Sequence, residues 1–161
     1  MKSCLYVLFG VLLTLCACSS IDCPVQNTVR TLYVLKKPNA EPDTLKDTLF
    51  IATFRADGSD TILLNAAINM STLSLPIGYA NPEDTLLFLF FNDPFWAVDT
   101  VWIKKDNYPH FESVDCNASF FHNITDVRST HYAIDSIVIN NPSVTYDPAT
   151  EHFHLYLKSR N

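Results

Sequence analysis

The chain has 161 residues, a hydrophobic fraction of 48% and a net charge of −6, which fit one globular domain. Its acidic pI of about 5.1 leaves no basic patch to replace the counterions of a nucleic acid, so nucleic-acid binding is not expected. The presence of only three Gly argues against a collagen and against a glycine-rich phosphate loop.

The N-terminus has the features of a secretory signal peptide. Lys2 supplies a positive start, and the apolar run from Leu5 to Leu15 follows it, as in such signals. This run is shorter than the roughly 20 residues of a transmembrane helix. The stretch from Leu15 to Cys18 resembles the lipobox of bacterial lipoproteins. That resemblance implies cleavage before Cys18 and acylation of Cys18, and several acyl chains hold a protein stably on a bilayer.

Cleavage before Cys18 would remove 17 residues and leave 144. We expect residues 18–26 to form a lipidated tether and residues 27–161 to form the folded domain. By resemblance to other lipoproteins, Ser19 after the lipidated cysteine favours the outer membrane. Asp22 is a single acid where surface-exported lipoproteins of Bacteroidota type carry an acidic cluster. We therefore expect the protein to be anchored at the periplasmic face of the outer membrane, with the cell surface as the alternative.

Two cysteines, Cys23 and Cys116, would remain besides the acylated one. In an oxidising compartment the simplest outcome is a Cys23–Cys116 disulfide. A reactive thiol or a metal ligand is the alternative, but neither cysteine belongs to a CxxC motif or has a His at ligand spacing.

The chain after the tether shows the period-two alternation of β-strands. Nine segments carry it, around residues 29–35, 49–54, 61–64, 72–75, 85–91, 98–104, 118–127, 136–140 and 152–158. Pro-rich and Asn-rich turn signals separate them. The sequence therefore predicts an all-β fold, an antiparallel β-sandwich of eight or nine strands, with the immunoglobulin topology as one candidate. Segment 85–91 is apolar on both faces, which predicts a central strand covered on both sides.

Four segments together resemble an uncharacterised family of Bacteroidota-type lipoproteins, known only as a domain of unknown function. They are Cys23-Pro24, the stretch from Asp84-Thr85-Leu86 to Asp99-Thr100-Val101, Pro109–Ser113 leading to Cys116, and Thr130–Val144. Asn117 stands where that family commonly has Gly after the second cysteine. The resemblance implies a compact all-β lipoprotein and no particular activity.

Phe95 and Trp96 are adjacent large aromatics between two strong strand patterns. Exposed on a loop, they would be a candidate contact surface for a ligand, because aromatic rings supply binding area at little entropic cost. The alternative, which we favour from the sequence, is that both rings fold back over the end of the sandwich as core.

A triplet of Asp, Ser or Thr, and an aliphatic residue occurs six times, against about 0.7 expected from composition. One explanation is structural, since Asp closes turns and a β-branched Thr suits the start of a strand. The other is that the triplet resembles the acceptor of the O-glycosylation system of Bacteroidota-type exported proteins. The candidate acceptors are Thr44, Thr48, Thr61, Thr85, Thr100 and Ser136.

Signals of catalysis are weak, and we do not expect an enzyme. The chain has neither a G-x-S-x-G nor an H-E-x-x-H motif. His152 and His154 share one predicted strand face and could begin a metal site, but a solvated strand face is favoured, and no metal or other cofactor is expected. The preferred function is a non-catalytic binding or structural module of the envelope, with another envelope protein or a peptidoglycan-associated molecule as partner. The alternative is a glycan- or ligand-binding accessory of nutrient uptake that uses Trp96, Trp102 and Tyr108.

Overall fold

The computed structural model describes residues 29–54, 58–113 and 116–159. Within these ranges the chain forms ten strands and no helix. They are β1 (Arg30–Lys36), β2 (Thr48–Phe54), β3 (Asp60–Ala67), β4 (Thr72–Pro76), β5 (Glu83–Asn92), β6 (Phe95–His110), β7 (Ser119–Ser129), β8 (Ile134–Ile139), β9 (Ser143–Val144) and β10 (Phe153–Leu157). All nine predicted segments form strands, and the tenth, β9, has two residues, too few to show an alternation.

The strands form two sheets that pack as a β-sandwich, which confirms the predicted fold. One sheet has the order β4-β1-β10-β8 and the other the order β3-β2-β5-β6-β7-β9. Among these ten strands all pairs are antiparallel except β1 with β10, the first strand with the last. The strand order is not the immunoglobulin one, in which the first two strands are neighbours, because β1 and β2 lie in different sheets.

The core fills the space between the two sheets, because alternate residues of each strand point into it. Tyr33 of β1 stacks on Phe153 of β10, with ring centroids 4.7 Å apart, and meets Phe88 of the opposite sheet edge-on at 6.2 Å. All three rings are fully buried. Aromatic contacts of this kind add to the free energy gained from burial alone, so this cluster is a main source of stability.

The prediction that β5 is covered on both faces is wrong. Leu86, Phe88 and Phe90 point into the core and are buried. On the other face Leu87 and Leu89 are half-buried and Phe91 is 48% exposed. The four-stranded sheet covers one side of β5, and no segment in the described ranges forms a third layer.

The two ends of the sandwich differ in what they carry. At the N-terminal end, where β1 begins, Arg30 pairs with Pro76 of β4, and the amide of Gly78 donates to the carboxylate of Asp84 near the start of β5. The hairpin end is the opposite one, where β5 turns into β6 and the Asn92 side chain donates to Asp47 at 3.3 Å. The chain therefore enters the sandwich at the end farthest from the β5–β6 hairpin.

The N-terminal predictions lie outside the described residues, since residues 1–28 are not among them. This applies to the signal peptide, to Cys18 and to Cys23. Cys116 is described and takes part in a disulfide, while its pairing with Cys23 stays a prediction. In the part of the chain that the structure describes, no helix is long and apolar enough to cross a membrane.

Candidate binding surface

The outward side of the six-stranded sheet forms one continuous surface, which we call the outer face. Direct cross-strand pairs define its rows. Between β5 and β6 these pairs are Phe91 with Trp96, Leu89 with Val98, Leu87 with Thr100, Thr85 with Trp102, and Glu83 with Lys104. β2 extends the rows through Phe50 and Ala52, β3 through Ile62, and β7 through Asp126 and Arg128.

The three rows nearest the hairpin end are apolar, and we call them the apolar half. Its members are Phe50, Ala52, Ile62, Leu87, Leu89, Phe91, Trp96 and Val98, with the two hydroxyl residues Thr48 and Thr100. Trp96 is 69% exposed and Ile62 is 65% exposed. Contiguous exposed apolar patches are uncommon on soluble proteins and usually mark an interaction site. The apolar half is therefore the best candidate for a binding surface.

The two rows nearest the N-terminal end carry charges, and we call them the charged half. Arg128 donates to both carboxylate oxygens of Glu83, at 2.7 and 2.9 Å. The Arg128 guanidinium also lies 4.9 Å from the centre of the Trp102 ring, in a cation–π contact. This pairing lowers the pKa of Glu83 and raises that of Arg128. Lys104 and Asp126 are exposed in the same half, so the outer face changes from apolar to charged along its strands.

Phe95 and Trp96 lie on strand β6 and not on a loop, because only Asp93 and Pro94 join it to β5. Adjacent strand residues point to opposite faces. Phe95 packs against the core and is half-buried, whereas Trp96 lies on the outer face. The favoured expectation that both rings serve as core is therefore wrong for Trp96, and the pair does not form one contact surface.

The three aromatics proposed for glycan binding do not converge. Trp96 and Trp102 share the outer face but are six residues apart, which is about 20 Å along a strand. Tyr108 lies farther along β6, beyond the bulge at Lys104 and Lys105, and is 50% exposed. The aromatic that does lie beside Trp96 is Phe91.

A buried ion pair at the N-terminal end was missed by the sequence analysis. Lys105 Nζ lies 2.7 Å from Asp84 Oδ1, and the Lys105 side chain is completely buried. Close by, His122 Nδ1 donates to Asn107 Oδ1 at 2.7 Å. Burial and the neighbouring Lys105 lower the pKa of His122 to about 4. Lys105 points inward because the alternate burial of β6 continues through Val101 and Ile103 to Lys105, whereas the predicted strand segment ended at residue 104.

Asp99 explains part of the repeated triplet. Its side chain is fully buried, and its Oδ1 accepts hydrogen bonds from Thr130 Oγ1 and Tyr132 N, both at 2.8 Å. Its Oδ2 accepts from the backbone amides of Ala133 and Ile134 at 2.7 and 2.8 Å. Four donors on one carboxylate hold the crossing from β7 to β8. Asp47 and Asp84, the first residues of two other triplets, also accept hydrogen bonds at strand ends.

The six candidate acceptors differ in accessibility. Thr44 is exposed and lines a surface depression of about 240 Å³ with Lys46 and Lys158. The Thr61 hydroxyl is buried, and the other four residues, Thr48, Thr85, Thr100 and Ser136, are half-buried. O-glycosylation stays a prediction, and Thr44 is its most accessible site. The hydrogen bonds of Asp47, Asp84 and Asp99 support the structural explanation of the triplet.

His152 and His154 do not form a metal site with a third ligand in the part of the chain that the structure describes. His152 precedes β10, is buried, and accepts a hydrogen bond from Leu32 N through Nδ1 at 3.0 Å. Burial lowers the pKa of His152. His154 Nε2 lies 3.0 Å from the Glu151 carboxylate. Across the described ranges no three His, Cys, Asp or Glu side chains are grouped so that they could hold a metal.

Comparison with known proteins identifies a family but no activity. The model of a family of unknown function, DUF6452, matches residues 48–157, which run from the start of β2 to the end of β10. No curated protein matches the chain. No solved structure matches it either.

Proposed function

This chain belongs to the DUF6452 family of unknown function. We propose that it is a lipid-anchored envelope protein that binds another protein through its outer face. We also propose that it catalyses no reaction. The observation that carries the proposal is the apolar half of that face. Trp96, Phe91 and Ile62 expose their side chains to solvent on one side of a well-packed sandwich. Burying such groups against a partner is favourable, by about 25 cal/mol per Å² of apolar surface.

The anchor rests on sequence resemblance. The stretch ending in Cys18 resembles a lipobox, and the later segments resemble Bacteroidota-type lipoproteins. The fold is compatible with such an anchor, because the chain enters the sandwich at the N-terminal end. A tether attached there would hold the hairpin end, and with it the apolar half, away from the bilayer. The apolar half would then be available to a protein and not to the lipid of its own membrane.

The non-catalytic part of the proposal is supported by the partners of the buried ionisable groups. Lys105 is neutralised by Asp84, and Asp99 accepts four hydrogen bonds from its own chain. His152 accepts from a backbone amide. Each of these groups therefore has a structural role, whereas a catalytic acid, base or nucleophile must be free to reach a substrate.

Site-specific photo-crosslinking in cells of the native host tests the proposal. A photoreactive residue at Val98 lies within the apolar half, and the same residue at Val138 is the matched control. Val138 is 49% exposed on the outward side of the four-stranded sheet. We expect a discrete protein adduct from position 98 and none from position 138. The absence of an adduct at position 98, or equal adducts at both positions, would count against the outer face as a binding surface.

Metabolic labelling with a fatty acid tests the anchor separately. We expect the full chain to incorporate the label and to sediment with membranes. The Cys18→Ser variant should do neither, because it lacks the thiol that the acyl-transfer step requires. Label retained by Cys18→Ser would contradict the proposed anchor without bearing on the outer face.

Glycan binding is the second candidate, because Phe91 and Trp96 form an exposed aromatic pair on which a sugar ring could stack. Titration of the full chain with oligosaccharides, followed by tryptophan fluorescence, tests it. A saturable change that the Trp96→Phe variant loses would favour a glycan. The absence of any change, together with an adduct at position 98, would leave protein binding.

A further inference from the structure

The outer face is complementary to itself about a line that runs between β5 and β6. Three of the five direct pairs across this line join similar or opposite groups, and the other two are Leu87 with Thr100 and Thr85 with Trp102. Phe91 lies beside Trp96, and Leu89 lies beside Val98. At the other end of the same two strands, acidic Glu83 lies beside basic Lys104.

A two-fold axis parallel to these strands, placed above that line, brings each residue of a pair opposite its neighbour in a second copy. Phe91 of one copy then meets Trp96 of the other, and Leu89 meets Val98. Glu83 meets Lys104 twice, once on each side of the axis. The rows of the apolar half therefore face each other, Glu83 faces Lys104, and no charge is brought against the apolar half.

We propose that the outer face binds a second copy of this chain, in a symmetric dimer with the two six-stranded sheets packed face to face. This inference rests on the proposed function, because it names the protein that the outer face binds. Face-to-face sheets pack about 10 Å apart with their strands nearly aligned, which is the geometry that the proposed axis produces.

The size of the face is sufficient for a specific but weak dimer. Its five rows extend about 27 Å along the strands, and the five strands from β3 to β7 extend about 19 Å across. Two such faces bury about 1,000 Å² in all, which is the lower bound for a biological interface. The dimer is therefore reversible, and anchoring both copies in one bilayer would raise their effective concentration.

The orientation of the axis fits two copies anchored in one membrane. Because the axis is parallel to the strands, it keeps the N-terminal ends of both sandwiches on the same side. An axis perpendicular to the strands would place the two tethers at opposite ends of the dimer and the apolar half of one copy over the charged half of the other. Only the parallel axis matches both the charges and the tethers.

Charge reversal provides a test that a folding defect cannot imitate. In a dimer of the Glu83→Lys variant, two ammonium groups face each other on each side of the axis. In a dimer of the Lys104→Glu variant, two carboxylates face each other there. Each variant should dimerise at least tenfold more weakly than the unmodified chain. An equal mixture of the two should form a mixed dimer within about threefold of the original affinity, because every facing pair then carries opposite charges.

The measurement is sedimentation of the full chain in mild detergent, at concentrations up to about 100 μM, a range that covers weak protein interfaces. Val98→Glu should abolish the dimer, and the matched Val138→Glu should not. Thermal unfolding of each variant confirms that it is folded.

Three results would overturn the inference: a full chain that stays monomeric throughout, a dimer that Val98→Glu leaves intact, or two charge variants that do not associate when mixed. If the chain is monomeric but Val98 crosslinks to a different protein in cells, the second copy is ruled out and the proposed function stands. If Val98 crosslinks to nothing, both are contradicted.

Discussion

Phe91 and Trp96 are direct cross-strand partners on β5 and β6, and both rings point away from the core. Their exposed fractions are 48% and 69%, whereas Phe90, the next residue on β5, is fully buried. One strand thus supplies aromatic residues to the core and to the outer face.

Trp96→Ala should change the free energy of unfolding by no more than about 0.5 kcal/mol at low protein concentration, as expected for an exposed side chain. Phe90→Ala removes a buried ring from the same hairpin and should cost about 3–5 kcal/mol. Urea unfolding of the full chain measures both. An equal decrease in the free energy of unfolding for the two variants would mean that the Trp96 ring packs within its own chain.

Asp99→Ala should destabilise the fold by at least about 3 kcal/mol. It removes a buried carboxylate and leaves its four hydrogen-bond donors without an acceptor. Asp135 is the matched control, because it begins another of the repeated triplets but is exposed. Asp135→Ala should stay within about 0.5 kcal/mol of the unmodified chain. A similar small effect for Asp99→Ala, measured by the same unfolding experiment, would contradict the role assigned to this carboxylate.

Stability should fall as the pH drops from 6.5 towards 4. The pKa of His122 is lowered from 6.5 to about 4 by burial and by Lys105, and burial also lowers that of His152. In this range the unfolded chain binds protons that the folded chain does not, so stability is greatest above pH 6.5. We expect His122 to account for about 1–3 kcal/mol of the loss.

The His122→Gln variant isolates that contribution. Glutamine can still donate a hydrogen bond to Asn107 but does not titrate, so the fall in stability between pH 6.5 and 4.5 should become smaller. Restricting the range to values above 4.5 limits the contribution of carboxylates such as Glu83 and Glu151, whose pKa values are already lowered. An unchanged pH profile would show that His122 is not the titrating group.

Any O-glycan on the native protein should be found first on Thr44. Thr44 is exposed, whereas the hydroxyl of Thr61 is buried and would have to leave the fold to be modified. Peptide mass mapping of the protein from its native host locates the modification. A glycan on Thr61 with an unmodified Thr44 would refute accessibility as the deciding factor. An intact mass equal to that of the proposed lipid-anchored form without a glycan would refute glycosylation.

The strands could be predicted from the sequence because alternate burial leaves a period-two pattern, as in the buried Tyr33 and Leu35 of β1. The parallel pairing of β1 with β10 could not, since Tyr33 and Phe153 are far apart in sequence and carry no pairing signal of their own. The sequence of β5 correctly indicated two apolar faces. An apolar face can be covered by the same chain or by a partner, and the sequence pattern does not distinguish the two. Lys105 was missed because the predicted strand segment ended at residue 104, whereas the alternate burial of β6 continues to Lys105, and its partner Asp84 lies on another strand.

We expect the outer face to be covered by protein in the envelope. Hydroxyl-radical footprinting measures this directly, by comparing oxidation of Trp96 in isolated envelopes with that in the dilute purified full chain. Tyr132 is the matched control, because it is 70% exposed and lies in the connection between β7 and β8. We predict that Trp96 is protected in the envelope while Tyr132 is oxidised at the same rate in both samples. Equal oxidation of Trp96 in both samples would contradict the claim.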